Sequence, residues 1–159
     1  MAFDVSPNRR SSISAAGRNQ NGDWHVEVGE NRAGTSWLPD KLAELVEHFD
    51  LSEVYAAASS PAMSAVHDVE EAGIKVGIVS IEEHAQACGR LVDVVQEKTL
   101  RHLGSAELAD AIRGAATRPL GDAWLWSRKA TAVDISPLVA STLALSAAME
   151  QGEGEFKIW

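Results

Sequence analysis

Three features of the sequence predict an α/β fold, a mixed sheet flanked by helices. Apolar residues alternate with polar ones near the start, the spacing becomes helical after Ser36, and short apolar segments then alternate with amphipathic ones. Residues 2–6 form a short apolar first strand, and after the turn at Pro7-Asn8 the small residues Ser11 to Ala16 form a second. Asn19-Gln20-Asn21-Gly22 supplies a hairpin turn. Trp24, Val26 and Val28 then alternate with His25, Glu27 and Gly29 as a strand with one buried face. Residues 2–32 therefore read as three antiparallel strands. Trp37, Leu38, Leu42, Leu45, Val46 and Phe49 fall on one side of a first helix, with Thr35 or Ser36 as its cap. Val54 to Ala58 reads as a buried strand, Ala62 to Ala72 as a helix stopped by Gly73, and Ile74 to Val79 as another buried strand. Helices follow from Ile81 to about Lys98, from Ala106 to Ala116 and over 137–149, with an edge strand expected at Ala123 to Trp126.

At 159 residues and 45% hydrophobic content, the chain can bury one sizeable core. One domain is expected over 1–150, and the Gly-rich stretch opening 151–159 reads as a loose tail before Phe156, Ile158 and Trp159. The formal charge of −9 makes the chain as a whole repel nucleic acid, so any contact with phosphates must come from a local patch. The lone Cys88 allows no internal disulfide, and no long apolar stretch suggests membrane or export; a cytoplasmic protein is expected.

Two carboxylates carry the chemical clue. Alternation puts Phe3 and Val5 on one face of the first strand and Asp4 on the other, while Asp134 opens the apolar run Ile135-Ser136-Pro137-Leu138-Val139. An acid on a first strand and another entering a late helix is the layout by which a ribonuclease-H-like nuclease holds divalent metal ions. Magnesium and manganese prefer carboxylate oxygens and water, and a two-metal site places its ions roughly 3.5–4 Å apart. Each acid has an equally good plain reading. Asp134 suits an N-cap before a Ser-Pro helix start, and Asp4 suits a solvated strand acid or an Asx turn. Arg9 and Arg10 beside Asp4, with Arg118, Arg128 and Lys129 later, would bring positive charge for DNA phosphates, or are scattered solubilising cations. The five histidines have no zinc spacing with Cys88, and Ser59-Ser60-Pro61 lacks a nucleophile-elbow context.

The segments Phe3-Asp4-Val5-Ser6-Pro7-Asn8-Arg9, Ala87-Cys88-Gly89, Arg118-Pro119-Leu120-Gly121-Asp122-Ala123-Trp124 and Val133-Asp134-Ile135-Ser136-Pro137-Leu138-Val139-Ala140, in that order, resemble the C-terminal nuclease domain of a tailed-bacteriophage large terminase, of the kind in actinobacterial phages and prophages. The resemblance spans nearly the whole chain. It implies a ribonuclease-H-like fold, cutting of concatemeric double-stranded viral DNA during packaging, and two divalent ions, Mg2+ or Mn2+. It implies as partners an ATPase motor domain, a small terminase or a portal protein, and as setting an infected or lysogenic host. On this resemblance Asp4 is the first-strand metal ligand and Asp134 the late-helix ligand.

Two departures stand out. The family's middle ligand falls at about Ala57, and no acid lies between Val54 and His67, so Asp122, Asp68 or Glu82 must substitute or catalysis is impaired. Asp122 is the expected helper because it lies in a matching segment, although it reads equally as a turn acid after Gly121. The chain also has no Gly-x-x-x-x-Gly-Lys-Ser/Thr loop, so it is expected to be an excised domain or a relative that needs a motor partner. The competing readings are a catalytically inactive nuclease-like docking module and another enzyme of the same fold, such as a junction resolvase or ribonuclease H.

Overall fold

The computed structural model describes residues 1–129 and 132–151; the expected loose tail beyond Gln151, with Phe156, Ile158 and Trp159, falls outside them. Among the described residues, eight strands and five helices run in the order β1 (Ala2–Val5), β2 (Arg10–Arg18), β3 (Trp24–Ala33), α1 (Leu38–His48), β4 (Val54–Ala57), α2 (Met63–Glu71), β5 (Val76–Val79), α3 (Ile81–Gln96), β6 (Leu100–Arg101), α4 (Ala106–Gly114), β7 (Thr117–Leu120), β8 (Ala123–Trp126) and α5 (Ser136–Glu150). Six strands make the mixed sheet β5-β4-β1-β2-β3-β6. β1, β2 and β3 pair antiparallel, whereas β4 lies parallel to β1 and β5; the chain reaches β4 from β3 through α1 and crosses from β4 to β5 through α2.

The two faces of the sheet follow from alternation. Phe3, Val5, Ile13, Val54 and Ala56 pack with Leu38 and Leu42 of α1 and Ala65 and Val69 of α2. Ala2, Ala16, Val26 and Ala57 face the other way, against Leu138, Val139 and Leu143 of α5, with Leu91 of α3 and Leu108 of α4 beyond. α5 is buried from Ser136 to Ala147 because it is apolar on nearly all sides, the pattern of a helix sandwiched between other elements. Among the described residues, no helix is long and apolar enough to cross a membrane.

Two expectations need correction, and one strand was not foreseen. Ala123 to Trp126 is a strand, but it edges no main sheet: it pairs with β7 in a separate hairpin that turns at Gly121, whose φ is +57°. Pro119 lacks an N–H, which disguises β7 as a loop. The N-cap of α1 is Trp37, with no side-chain cap; Pro39 in the first turn and the bond from the Leu38 N–H to the Thr35 carbonyl (3.0 Å) start the helix instead. The two-residue β6 continues the sheet beyond β3, too short to leave a pattern.

Candidate functional site

A row of polar side chains crosses the α5 face of the sheet at the end of β1. Asp4 is level with Ser12 on β2, and Ser12 with Asn31 on β3. On the other side β4 runs parallel to β1 with Tyr55 beside Ala2, so two residues further along both strands Ala57 lies level with Asp4. The position expected to hold a middle acid is therefore next to Asp4, and it offers only a buried methyl group.

The start of α5 lands on this row. The Ser136 hydroxyl is 3.0 Å from that of Ser12, and the Asn31 amide donates to Ser12 Oγ (2.6 Å) and Asp134 Oδ2 (3.0 Å). The N-cap of α5 is Ile135, without a side-chain cap, so Asp134 is not the cap; it stands one residue earlier, where its Oδ1 accepts the Ser136 N–H at 2.9 Å while it shares a polar cluster with Ser12 and Asn31. Arg10 stands at its outer edge, donating to Asn31 Oδ1 at 2.7 Å, with Nε 3.6 Å from Asp134. Asn31 ties four residues together, and the sequence did not single it out.

The chain leaving β8 closes the site from the α3 side. Arg128 donates from its two terminal nitrogens to the two oxygens of Asp4, each at 2.6 Å. Such bidentate geometry is the strong form of an arginine–carboxylate pair. Asp4 is wholly buried, and burial pushes its carboxyl up, while the Arg128 guanidinium opposes that shift and the Asp134 charge adds to it. Arg128 also separates two clefts. One, about 160 Å³, is lined by Ser6, Asn8 and Asp134 among others; the larger, about 410 Å³, runs along Ala57, Ser59, Ser60, His84, Arg118, Ser127 and Lys129.

The remaining expected residues lie elsewhere. Asp122 is exposed in the β7–β8 turn, at the opposite end of that ladder from Arg128, and lines neither cleft. Asp68 and Glu82 are exposed on α2 and α3. Arg9 turns toward the α1–α2 face, donating to Ser64 Oγ (2.7 Å) and Thr35 Oγ1 (3.2 Å). Arg118, Arg128 and Lys129 do come together, along the larger cleft.

The donor set does not fit a two-metal centre as folded. Both Asp4 oxygens are engaged by a cation already, both Asp134 oxygens accept protein hydrogen bonds, and Ala57 supplies no oxygen from its side chain. Among the described residues, no group of three histidine, cysteine or acidic side chains converges as a metal site.

A buried helix laid on a six-stranded mixed sheet, with an acid at the end of the first strand and another at the helix entry, defines the ribonuclease-H-like class of folds. Within that class the chain has the fold of phage large-terminase nuclease domains. It superposes on the large terminase of bacteriophage HK97 with a TM-score of 0.73 and 16% identity, covering 92% of this chain and 38% of that one. The large-terminase nuclease from thermophilic phage G20c gives 0.58 at 13% identity, covering 91% of this chain and 92% of that one; its magnesium-bound form gives 0.56 at 14% over the same shares. The chain thus spans well under half the length of the HK97 protein. No family model and no curated protein matches the sequence.

Proposed function

We propose that this chain is the nuclease-type module of a phage genome-packaging terminase, that it engages double-stranded DNA, and that its cutting centre is impaired as the chain stands. The observation that carries this reading is the guanidinium of Arg128 on both oxygens of Asp4, beside an alanine where the middle acid would be. Asp4 and Asp134 are the two acids that would hold Mg2+ or Mn2+ in an intact centre. The G20c nuclease, crystallised with magnesium and with cobalt, supports divalent chemistry for that neighbour. Arg10, Arg118 and Lys129 supply local positive charge that a chain of net charge −9 needs to approach DNA. An ATPase motor domain, with a small terminase or portal protein, would be its partners, in the cytoplasm of an infected or lysogenic host. Asp122 has no place in this centre, because it stands on the exposed turn.

The test incubates supercoiled plasmid and manganese with the chain, with Ala57→Asp and with Ala57→Asp/Arg128→Gln. The chain itself should leave the plasmid intact yet retard linear duplex in a gel, and the double variant should nick it, with the nicking lost on adding Asp134→Asn. Nicking by the unaltered chain that vanishes in Asp4→Asn would overturn the impairment. Failure of the chain to retard duplex would overturn the DNA-engaging reading.

A further inference from the structure

The larger cleft, between the end of β4, the first turn of α3 and the strand exit at Ser127, has a lining unlike the rest of the chain. The protein carries 23 acidic and 14 basic residues, yet three cations and no carboxylate line this cleft. Arg128 is neutralised by Asp4, whereas Arg118 and Lys129 form no ion pair among the described residues. Among the described residues, two positive charges are therefore uncompensated. The first turn of α3 adds no free positive end, because Ser80 and Glu83 close a capping box there and Glu82 and Glu83 stand in that turn.

An independent observation also points to a missing ligand. His84 lines the same cleft, is 9% exposed, and its Nε2 has no hydrogen-bond partner among the described residues. Native interiors rarely leave such an atom orphaned, because it is stripped of water with no partner to replace it. Burial, then the nearby charges of Arg128 and Arg118, lower the imidazole to about 4. It is neutral at physiological pH, and in the Nε2–H tautomer it donates without adding charge.

We infer that this cleft is a phosphomonoester site, in which Arg118 and Lys129 balance the dianion, Arg128 shapes the wall beside it and His84 Nε2 donates a directed hydrogen bond. Charge decides between phosphate types. A monoester carries about −1.5 to −2 at neutral pH, matching the two free cations, whereas a backbone diester carries a single charge. Size agrees, since about 410 Å³ admits a terminal phosphate with its sugar but not a duplex. The dianion is the 5′-terminal monoester of a DNA strand, with free inorganic phosphate as the other source of the same charge. The first source rests on the DNA-engaging reading above; the cleft itself does not.

The test has three arms, all on the full chain. Anisotropy compares a short labelled single-stranded oligonucleotide carrying a 5′-phosphate with the same strand ending in a hydroxyl. Calorimetry titrates inorganic phosphate. A gel shift with long duplex checks DNA binding separately. The phosphorylated strand should bind about tenfold tighter, with the difference competed by inorganic phosphate and abolished by Arg118→Gln/Lys129→Gln. His84→Leu should cut the preference while leaving the protein at least as stable, because it removes an orphaned polar group; a merely structural histidine would lower stability and leave the preference intact, which overturns its assigned role. Phosphate binding without preference for the phosphorylated strand assigns the site to free phosphate. Binding of neither overturns the site even if duplex is still retarded, whereas loss of duplex binding alone overturns only the DNA reading.

Discussion

Arg128 and Asp4, 124 residues apart in the chain, meet through two hydrogen bonds of 2.6 Å that join the exit of the β7–β8 hairpin to the end of the first strand. Asp4 is wholly buried, so its charge is tolerated only while the guanidinium stays. Arg128→Leu should therefore lower stability by about 3–5 kcal/mol. Replacing both partners, as Asp4→Leu/Arg128→Leu, should lose clearly less than the two single changes together. Urea denaturation of the four proteins checks this; strictly additive losses would show that the pair is not coupled.

The Asp4 and Asp134 positions were legible because each breaks an apolar pattern, the first by alternation and the second by preceding a buried helix. Their surroundings were not. Asn31 is hidden by a bulge: Ile13 pairs with Glu30 but Ser14 with Val28, so Gly29 is extra and the face carrying Val26 and Val28 resumes at Asn31 rather than at Glu30. Counting by twos from Trp24 therefore gives the wrong residue. Arg128 read as one cation in a basic stretch, because its partner depends on how a Pro-containing hairpin lies over α3, which no local period encodes. Ala57 is the reverse case: the resemblance put the missing acid at the end of β4, and the parallel register with β1 brings that position level with Asp4.

His84 gives the fold an acid-sensitive margin. Its imidazole is held at about 4 by burial, then by Arg128 and Arg118, against 6.5 when the chain unfolds. Since the unfolded state binds the proton first, this contribution is complete above pH 6.5 and is lost as pH falls toward 4. The loss between pH 7.5 and pH 5 should be about 2 kcal/mol. Denaturant midpoints at the two pH values, for the chain and for His84→Leu, measure it. The variant should lose markedly less, and an equal loss in both would assign the sensitivity to other groups.

Cys88 lies one helical turn beyond His84, packed with Ala85, Leu125 and the indoles of Trp124 and Trp126. Burial pushes its thiol up to about 11, so almost no thiolate exists at pH 8. The native protein should react with a thiol-titrating disulfide reagent orders of magnitude more slowly than the same protein in denaturant, where one equivalent should react at once. Fast labelling of the native chain would mean that the α3–hairpin contact opens freely.

Asn31 is the most informative single change at the polar row. Its amide donates to Ser12 and Asp134, and its oxygen accepts from Arg10, so one side chain satisfies three partners on β2 and at the α5 entry. Asn31→Leu keeps the volume and removes every one of these bonds. Ser12 retains Ser136, and Asp134 retains the Ser136 N–H, so the α5 entry should hold. The loss should come from the Asp134 oxygen and the Arg10 guanidinium left without their amide, about 1–3 kcal/mol in urea denaturation. A loss near zero would mean that water replaces the amide freely. The row would then be a wet surface patch rather than a fixed part of the site, and Asp134 would be held by its bond to the Ser136 N–H alone.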